Sequence, residues 1–178
     1  MLDVGCGVGR VGASVAKAFP KCEVVGLDSD AASIALARAA ANEAGMGDRI
    51  RFVAERTDTF DGAEGFDLIT ACDCLHDFAA PRRTLEQMRQ LLKPGGTLFV
   101  VEPKAGDTIE ENTHAIGTMY YGFSLFHCMT QSLAACGPGL GTCMGPGRTR
   151  ELLRDAGFST VEQVDIRSQT NLFYAARA

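Results

Sequence analysis

Apolar residues in the first hundred positions fall into two kinds of stretch. Short continuous runs occur at Leu2–Val4, at Val24–Leu27 within Cys22–Asp28, at Ile50–Ala54, Phe66–Cys72 and Thr97–Glu102. Between them the apolar positions recur every three or four residues. Val11, Val15, Ala16 and Phe19 have helical spacing and end at Pro20; Ala31 to Ala44 carries Ile34, Leu36 and Ala37 and stops at Gly45; Pro81 to Leu92 stops at Lys93-Pro-Gly-Gly96. Asp30 or Ser29 can cap the second of these helices. Runs that are apolar throughout suit strands covered on both faces, and strands alternating with helices predict a doubly wound, mostly parallel α/β sheet. Further on, Arg148 to Gly157 reads as an amphipathic helix, followed by strands at 160–166 and 172–176. The short polar turn between them predicts a terminal hairpin, so the last strand is expected to be antiparallel.

The stretch from Pro103 to Gly147 breaks this rhythm. Between Glu111 and Arg148 there is no Asp, Glu, Lys or Arg, while Met119, Tyr120, Tyr121, Phe123, Leu125, Phe126 and Met129 crowd together. His114, His127, Gln131 and the Gly/Pro-rich segment from Cys136 to Gly147 interrupt any membrane-length run of about 18 apolar residues. The expectation is a helical lid inserted between the fifth strand and the following helix, over the strand ends. Such a stretch is expected to be buried or to bury something, lining an apolar substrate pocket or a dimer contact.

Charge and cysteine content narrow the partners. The 178 residues suit one domain, and a net charge of −5 without a basic cluster argues against nucleic acid or an anionic membrane surface. The seven cysteines are an odd number, form no C-x-x-C pair and follow no secretory leader, which points to a reducing, cytoplasmic compartment and to buried, inert thiols. With histidines scattered at 76, 114 and 127, no zinc-site spacing is present, and no metal is assigned.

The first nine residues carry the most specific chemistry. In Met1-Leu-Asp-Val-Gly-Cys-Gly-Val-Gly9, a strand runs into a turn where Gly5, Gly7 and Gly9 leave the backbone bare and the next helix directs its free N–H groups at the same space. A dinucleotide turn, G-x-G-x-x-G, would place its third glycine at position 10, which is Arg10, so a nicotinamide oxidoreductase is disfavoured. The turn instead resembles the first motif of class I S-adenosylmethionine-dependent methyltransferases. The likeness continues through Asp28 closing the second strand, Phe66-Asp67, and Leu92-Lys-Pro-Gly-Gly-Thr97.

This resemblance implies a Rossmann-like seven-stranded sheet of order 3-2-1-4-5-7-6, with S-adenosylmethionine as cofactor. Gly5, Cys6, Gly7 and Gly9 would line the cofactor's amino-acid tail, Asp3 would meet its ammonium, Asp28 its ribose hydroxyls, and Ser29 its adenine. Family members often carry an acid just after strand three; here Arg56 stands there, leaving Glu55, Arg56, Thr57 and the nearby Asp58 as adenine-side candidates. Asp73 and Cys74 complete the implied contacts. Cys72-Asp-Cys-Leu-His-Asp77-Phe78 resembles the His-Asp-Trp motif of small-molecule O-methyltransferases, which makes His76 the candidate general base, with Asp77 to orient it, against a purely structural histidine. Related actinobacterial enzymes with an N-terminal winged-helix domain share this loop, Val101-Glu-Pro103 and the Tyr120-Tyr121 pair. Arsenite methyltransferases, which hold their substrate with cysteines, supply a minor alternative.

The expected function is methyl transfer to a small, apolar acceptor by in-line displacement. The chain starts inside the first strand, where the family usually has more residues. It is therefore expected to be N-terminally short: a truncated or fragmentary gene product, a chain that works as a homodimer, or a non-catalytic, cofactor-binding or regulatory remnant.

Overall fold

A computed structural model describes residues 1–63 and 65–178. Seven strands, β1 (Leu2–Val4), β2 (Val24–Asp28), β3 (Ile50–Ala54), β4 (Phe66–Cys72), β5 (Leu92–Pro103), β6 (Thr160–Val164) and β7 (Asn171–Arg177), form one sheet. Its order is β3-β2-β1-β4-β5-β7-β6. β1 to β5 are mutually parallel where they pair, and β7 runs antiparallel to both β5 and β6. This is the Rossmann-like topology expected from the sequence, with the antiparallel strand where the hairpin spacing placed it.

Helices α1 (Arg10–Ala18) and α2 (Ala31–Glu43) bury Ala16, Ile34, Ala37 and Ala41 against Val24, Ile50 and Phe52. Helices α3 (Pro81–Leu91) and α6 (Gly145–Asp155) bury Leu85, Met88, Leu152 and Leu153 against a larger cluster that includes Leu2, Ile69, Leu98, Val100 and Tyr174. Asp30 caps α2, accepting from the N–H groups of Ala32 and Ser33. That leaves Asp28 free of a capping role. β5 begins earlier than its apolar run: Leu92 pairs with Phe66, and Lys93-Pro-Gly-Gly96 bulges out before Thr97 pairs with Leu68.

Between β5 and α6 lies α4 (Ala115–Phe123), a π-helical segment at Ser124–Cys128, and α5 (Met129–Ala134). The side facing the body carries Gly117, Tyr120, Ser124, Cys128 and Ser132, all buried. From Tyr120 these lie four apart. An α-helix advances 3.6 residues per turn, so a stripe of period four drifts off one face unless a wider turn intervenes, and the π segment is that turn. Tyr120 donates its hydroxyl to the Thr170 carbonyl at 2.6 Å, and Ser132 donates to the Phe78 carbonyl at 3.3 Å. Much of the apolar surface of this segment is not buried within the chain. Phe126 is 82% exposed, and Met119, Phe123, Leu125 and Leu133 are exposed as well. Apart from Tyr120, the residues on the inward face are small, and at the start of α4 the helix packs tightly on the turn that precedes it. A Cβ on Gly117 would collide with the Asn112 backbone.

Candidate active site

Strand β1 ends in a turn where Gly5, Gly7 and Gly9 have φ of 68°, 50° and 78°, a region costly for any residue with a Cβ. The three glycines meet different needs. Gly9 lies on the Phe52 ring, which a Cβ would strike; a Cβ on Gly5 would stand 2.8 Å from Cys74 Sγ; Gly7 has nothing within 4 Å of that direction and borders open space. The Gly7 N–H donates to Asp28 Oδ2 at 2.8 Å, while Asp28 Oδ1 accepts from the Asp30 N–H at 2.9 Å. Asp28 is thereby held at the carboxyl end of β2, beside the turn.

Beneath the turn, Asp3 is 1% exposed. Its Oδ1 accepts from Thr70 Oγ1 at 2.6 Å, but its Oδ2 has no partner. Burial pushes the Asp3 pKa from 3.8 to about 6, against the opposing hydrogen bond from Thr70. Cys6 has its thiol pushed up to about 12 by burial, with Asp3 and Asp28 adding to the rise. A buried carboxylate oxygen without a donor, next to bare backbone, fits a cationic group such as the ammonium of an amino acid. Ser29, Glu55 and Arg56 are exposed, and Thr57 is half-buried. Arg56 forks onto Asp58 at 3.0 and 3.2 Å, so each occupies the other's charge.

The end of β4 supplies the second half of the site. Asp73 has a left-handed φ of 51°, donates its N–H to the Val101 carbonyl and accepts from Asn171 Nδ2 at 2.8 Å. Such backbone strain recurs at functional sites. Cys74 donates to the Val4 carbonyl at 3.3 Å and packs on Gly5, which ties this loop to the glycine turn. A 3-10 turn at Leu75–Asp77 then places His76, 2% exposed, against Glu102 of β5. His76 Nδ1 lies 2.6 Å from Glu102 Oε2, and Glu102 Oε1 accepts from the Leu75 N–H at 3.0 Å. Burial disfavours charge on the imidazole, but the Glu102 carboxylate outweighs it, with Asp77 and Asp73 adding, and holds His76 above its ordinary 6.5. Burial pushes Glu102 up as well, so the two titrate as a coupled pair. With the Nδ1 proton directed at Glu102, Nε2 carries the free lone pair, 3.5 Å from Asp77 Oδ1.

His76 lines a cavity of about 560 Å³ together with Asp73, Asp77, Pro103, Tyr120, Phe123, His127, Cys128, Thr142, Thr170 and Asn171. Its size suits a small molecule. A second cavity of about 450 Å³, lined by Phe60, Gly62, Leu92 and Lys93 among others, opens at the opposite ends of β4 and β5, away from this chemistry.

Two participants were not assigned from the sequence. Glu102, rather than Asp77, is the carboxylate in hydrogen-bond contact with the His76 ring. Its one signal was an acid closing an otherwise apolar strand. Cys128 reaches the same cavity from the π segment. All seven cysteines are free thiols, and their expected burial holds for Cys128 but not for Cys136, which is exposed.

Comparison with known proteins agrees with this architecture. The family model described as "Methyltransferase domain" matches residues 2–98. The chain is 28% identical over 167 residues to the sterol 24-C-methyltransferase of Saccharomyces cerevisiae, covering 93% of this chain and 40% of that protein. It is 34% identical over 101 residues to the ubiquinone biosynthesis O-methyltransferase of Cronobacter sakazakii, covering 56% of this chain and 40% of the relative. Human N-acetylserotonin methyltransferase, solved in complex with S-adenosylmethionine, superposes with a TM-score of 0.71 at 20% identity, over 100% of this chain and 47% of the human one. The chain thus spans less than half the length of these relatives. The fold is that of the class I S-adenosylmethionine-dependent methyltransferases. The chain belongs to the methyltransferase-domain family.

Proposed function

We propose that this chain binds S-adenosylmethionine at the glycine turn and takes part in methylating a hydroxyl of a small, largely apolar molecule held in the 560 Å³ cavity. The cofactor bound to the human relative supports the first part of this reading. So does the fit of the residues present: the partnerless Asp3 Oδ2 for an ammonium, the open space beside Gly7, and Asp28 at the neighbouring strand end for vicinal hydroxyls. S-adenosylmethionine, when bound, supplies an activated methyl group for in-line displacement by the acceptor oxygen.

The chain's own contribution is to hold the acceptor and move its proton. His76 Nε2 takes the hydroxyl proton, and Glu102, on the opposite ring nitrogen, orients the imidazole and stabilises the charge it gains. Tyr120 and Phe123 give the acceptor apolar surface. Residues 103–147, with α4 and α5, act as the lid over this pocket, and the rest of the chain forms one domain with it. Alignment of the acceptor against the donor supplies most of the acceleration.

The observation that carries this reading is the buried His76–Glu102 pair, at 2.6 Å, opening onto a cavity of substrate size. His76→Ala is expected to lower turnover by roughly a hundredfold or more while leaving cofactor binding intact, measured with a panel of phenols and by calorimetry. Near-normal rates would return His76 to a structural role. Cofactor binding without turnover of any acceptor by the unsubstituted protein would favour a non-catalytic binding module.

A further inference from the structure

His76 Nε2, Asp77 and Cys128 converge although Cys128 is distant in sequence: their donor atoms all lie within 4.8 Å of one another. We propose that these three side chains form a zinc site inside the acceptor cavity. This goes beyond the methyl-transfer reading and does not depend on it.

Four features favour it. The donor set, one imidazole nitrogen, one carboxylate oxygen and one thiol sulfur, suits a borderline-soft divalent ion, and three protein ligands with an open fourth position is the arrangement of reactive zinc centres. A tetrahedral ion holds its donors about 3.3 to 3.8 Å apart, from bond lengths of about 2.0 to 2.3 Å; His76 Nε2 and Asp77 Oδ1 already stand 3.5 Å apart, so only the Cys128 sulfur needs to draw in, by about 1 Å. Asp77 Oδ1 is buried with no hydrogen bond of normal geometry and stands 3.5 Å from His76 Nε2, already turned toward the other two donors. Most telling is the shell behind the imidazole: Glu102 accepts a hydrogen bond from Nδ1–H at 2.6 Å, and a carboxylate on the far nitrogen of a metal-bound histidine sets its tautomer and raises its basicity.

Burial, followed by the charge of Asp77, pushes the Cys128 thiol up to about 12, so the thiol is protonated before the ion arrives. As the sulfur–metal bond forms, the S–H bond breaks and the proton leaves to solvent. An ion here occupies the lone pair with which His76 would accept a proton from a hydroxyl. Zinc would therefore hold the site closed to methyl transfer.

The test uses chelator-treated protein titrated with cobalt(II), which reports thiolate ligation by a near-ultraviolet charge-transfer band. The expected result is one equivalent of bound cobalt with that band, displaced by zinc, and lost in both Cys128→Ser and His76→Ala. Glu102→Gln should keep the band but weaken zinc binding by about 10- to 100-fold. Cys136→Ser, at an exposed thiol, should leave the spectrum unchanged. Far-ultraviolet circular dichroism and the melting temperature of each variant, measured in parallel, separate loss of the site from loss of the fold. Binding of S-adenosylhomocysteine by the unsubstituted protein separates failure of this proposal from failure of the cofactor assignment. Absence of the band, or its survival in Cys128→Ser or His76→Ala, overturns the zinc site.

Discussion

Asp3 is a carboxylic acid held where its charge is unwelcome. A rise from 3.8 to about 6 corresponds, at 1.36 kcal/mol per pKa unit, to about 3 kcal/mol. The sign follows from linkage. Because the folded-state pKa lies above the unfolded one, the native state is favoured by protonation, and this group's penalty grows as pH climbs from about 4 through 6 and is complete above that. Asp3→Asn, which keeps the shape and can still accept from Thr70, should therefore stabilise the cofactor-free protein at pH 7 by up to about 3 kcal/mol in urea unfolding, with no gain near pH 4. The same substitution should weaken S-adenosylmethionine binding. In the unsubstituted protein, affinity should fall as pH drops through about 6, because protonation removes the charge that meets the ammonium. An affinity flat across that range, by calorimetry, would show that Asp3 does not face the cofactor.

At this scale the sequence was partly legible. His76 stood out through its neighbours in the chain, and Asp28 through its place at a strand end. Glu102 did not, because it meets His76 from 26 residues away, and nothing local tells a buried orienting acid from one at the edge of a sheet. Cys128 was hidden for the same reason, with its partners on another loop.

Among the elements, the glycine turn separates two requirements that look identical in sequence. Gly7 and Gly9 both have positive φ, but only Gly9 is packed, against Phe52. Gly7→Ala should cost about 1 to 2 kcal/mol of stability and abolish cofactor binding, since its methyl group would enter the open space. Gly9→Ala carries the same backbone strain plus a collision with a core ring. It should lower the melting temperature by clearly more, as differential scanning calorimetry would register. Equal losses in the two variants would refute the distinction. The α4–α5 segment teaches the opposite lesson. Its lack of charge was plain, and it suggested burial, but the face turned inward is set by Gly117, Ser124, Cys128 and Ser132, small residues that a hydropathy pattern overlooks.

For the whole molecule, the order of strands was foreseeable because alternating strands and helices leave few chain paths, and the likeness to a known family chose among them. Less foreseeable was how directly the core supports the site. Phe52, 5% exposed, fills the space beneath α1 and α2 while its ring backs Gly9 and Gly26. Phe52→Ala should cost about 3 to 5 kcal/mol and, by letting the turn sag into the cavity left behind, reduce cofactor affinity as well. Full affinity in a destabilised but folded variant would uncouple the two. No helix among the described residues is long and apolar enough to cross a membrane, and the exposed aromatic side chains of α4 and its π segment belong to a surface feature rather than a span.

The bulge at Lys93-Pro-Gly-Gly96 has a bearing on how this chain tolerates length changes. Downstream of it, β5 is locked on both sides, Leu98 to Val101 against β4 and Leu98 to Pro103 against β7, and Glu102 reaches His76 only in that phase. A strand's side chains alternate, so moving Glu102 by one position would turn it to the other face. An extra glycine after Gly95, where a Cβ meets nothing within 4 Å, falls ahead of the locked segment and should leave turnover close to normal. The same insertion after Val100 should abolish turnover, because it disconnects the histidine from the acid that aims it. The turn before the strand would thus work as a slip joint, taking up insertions and deletions before they reach Glu102.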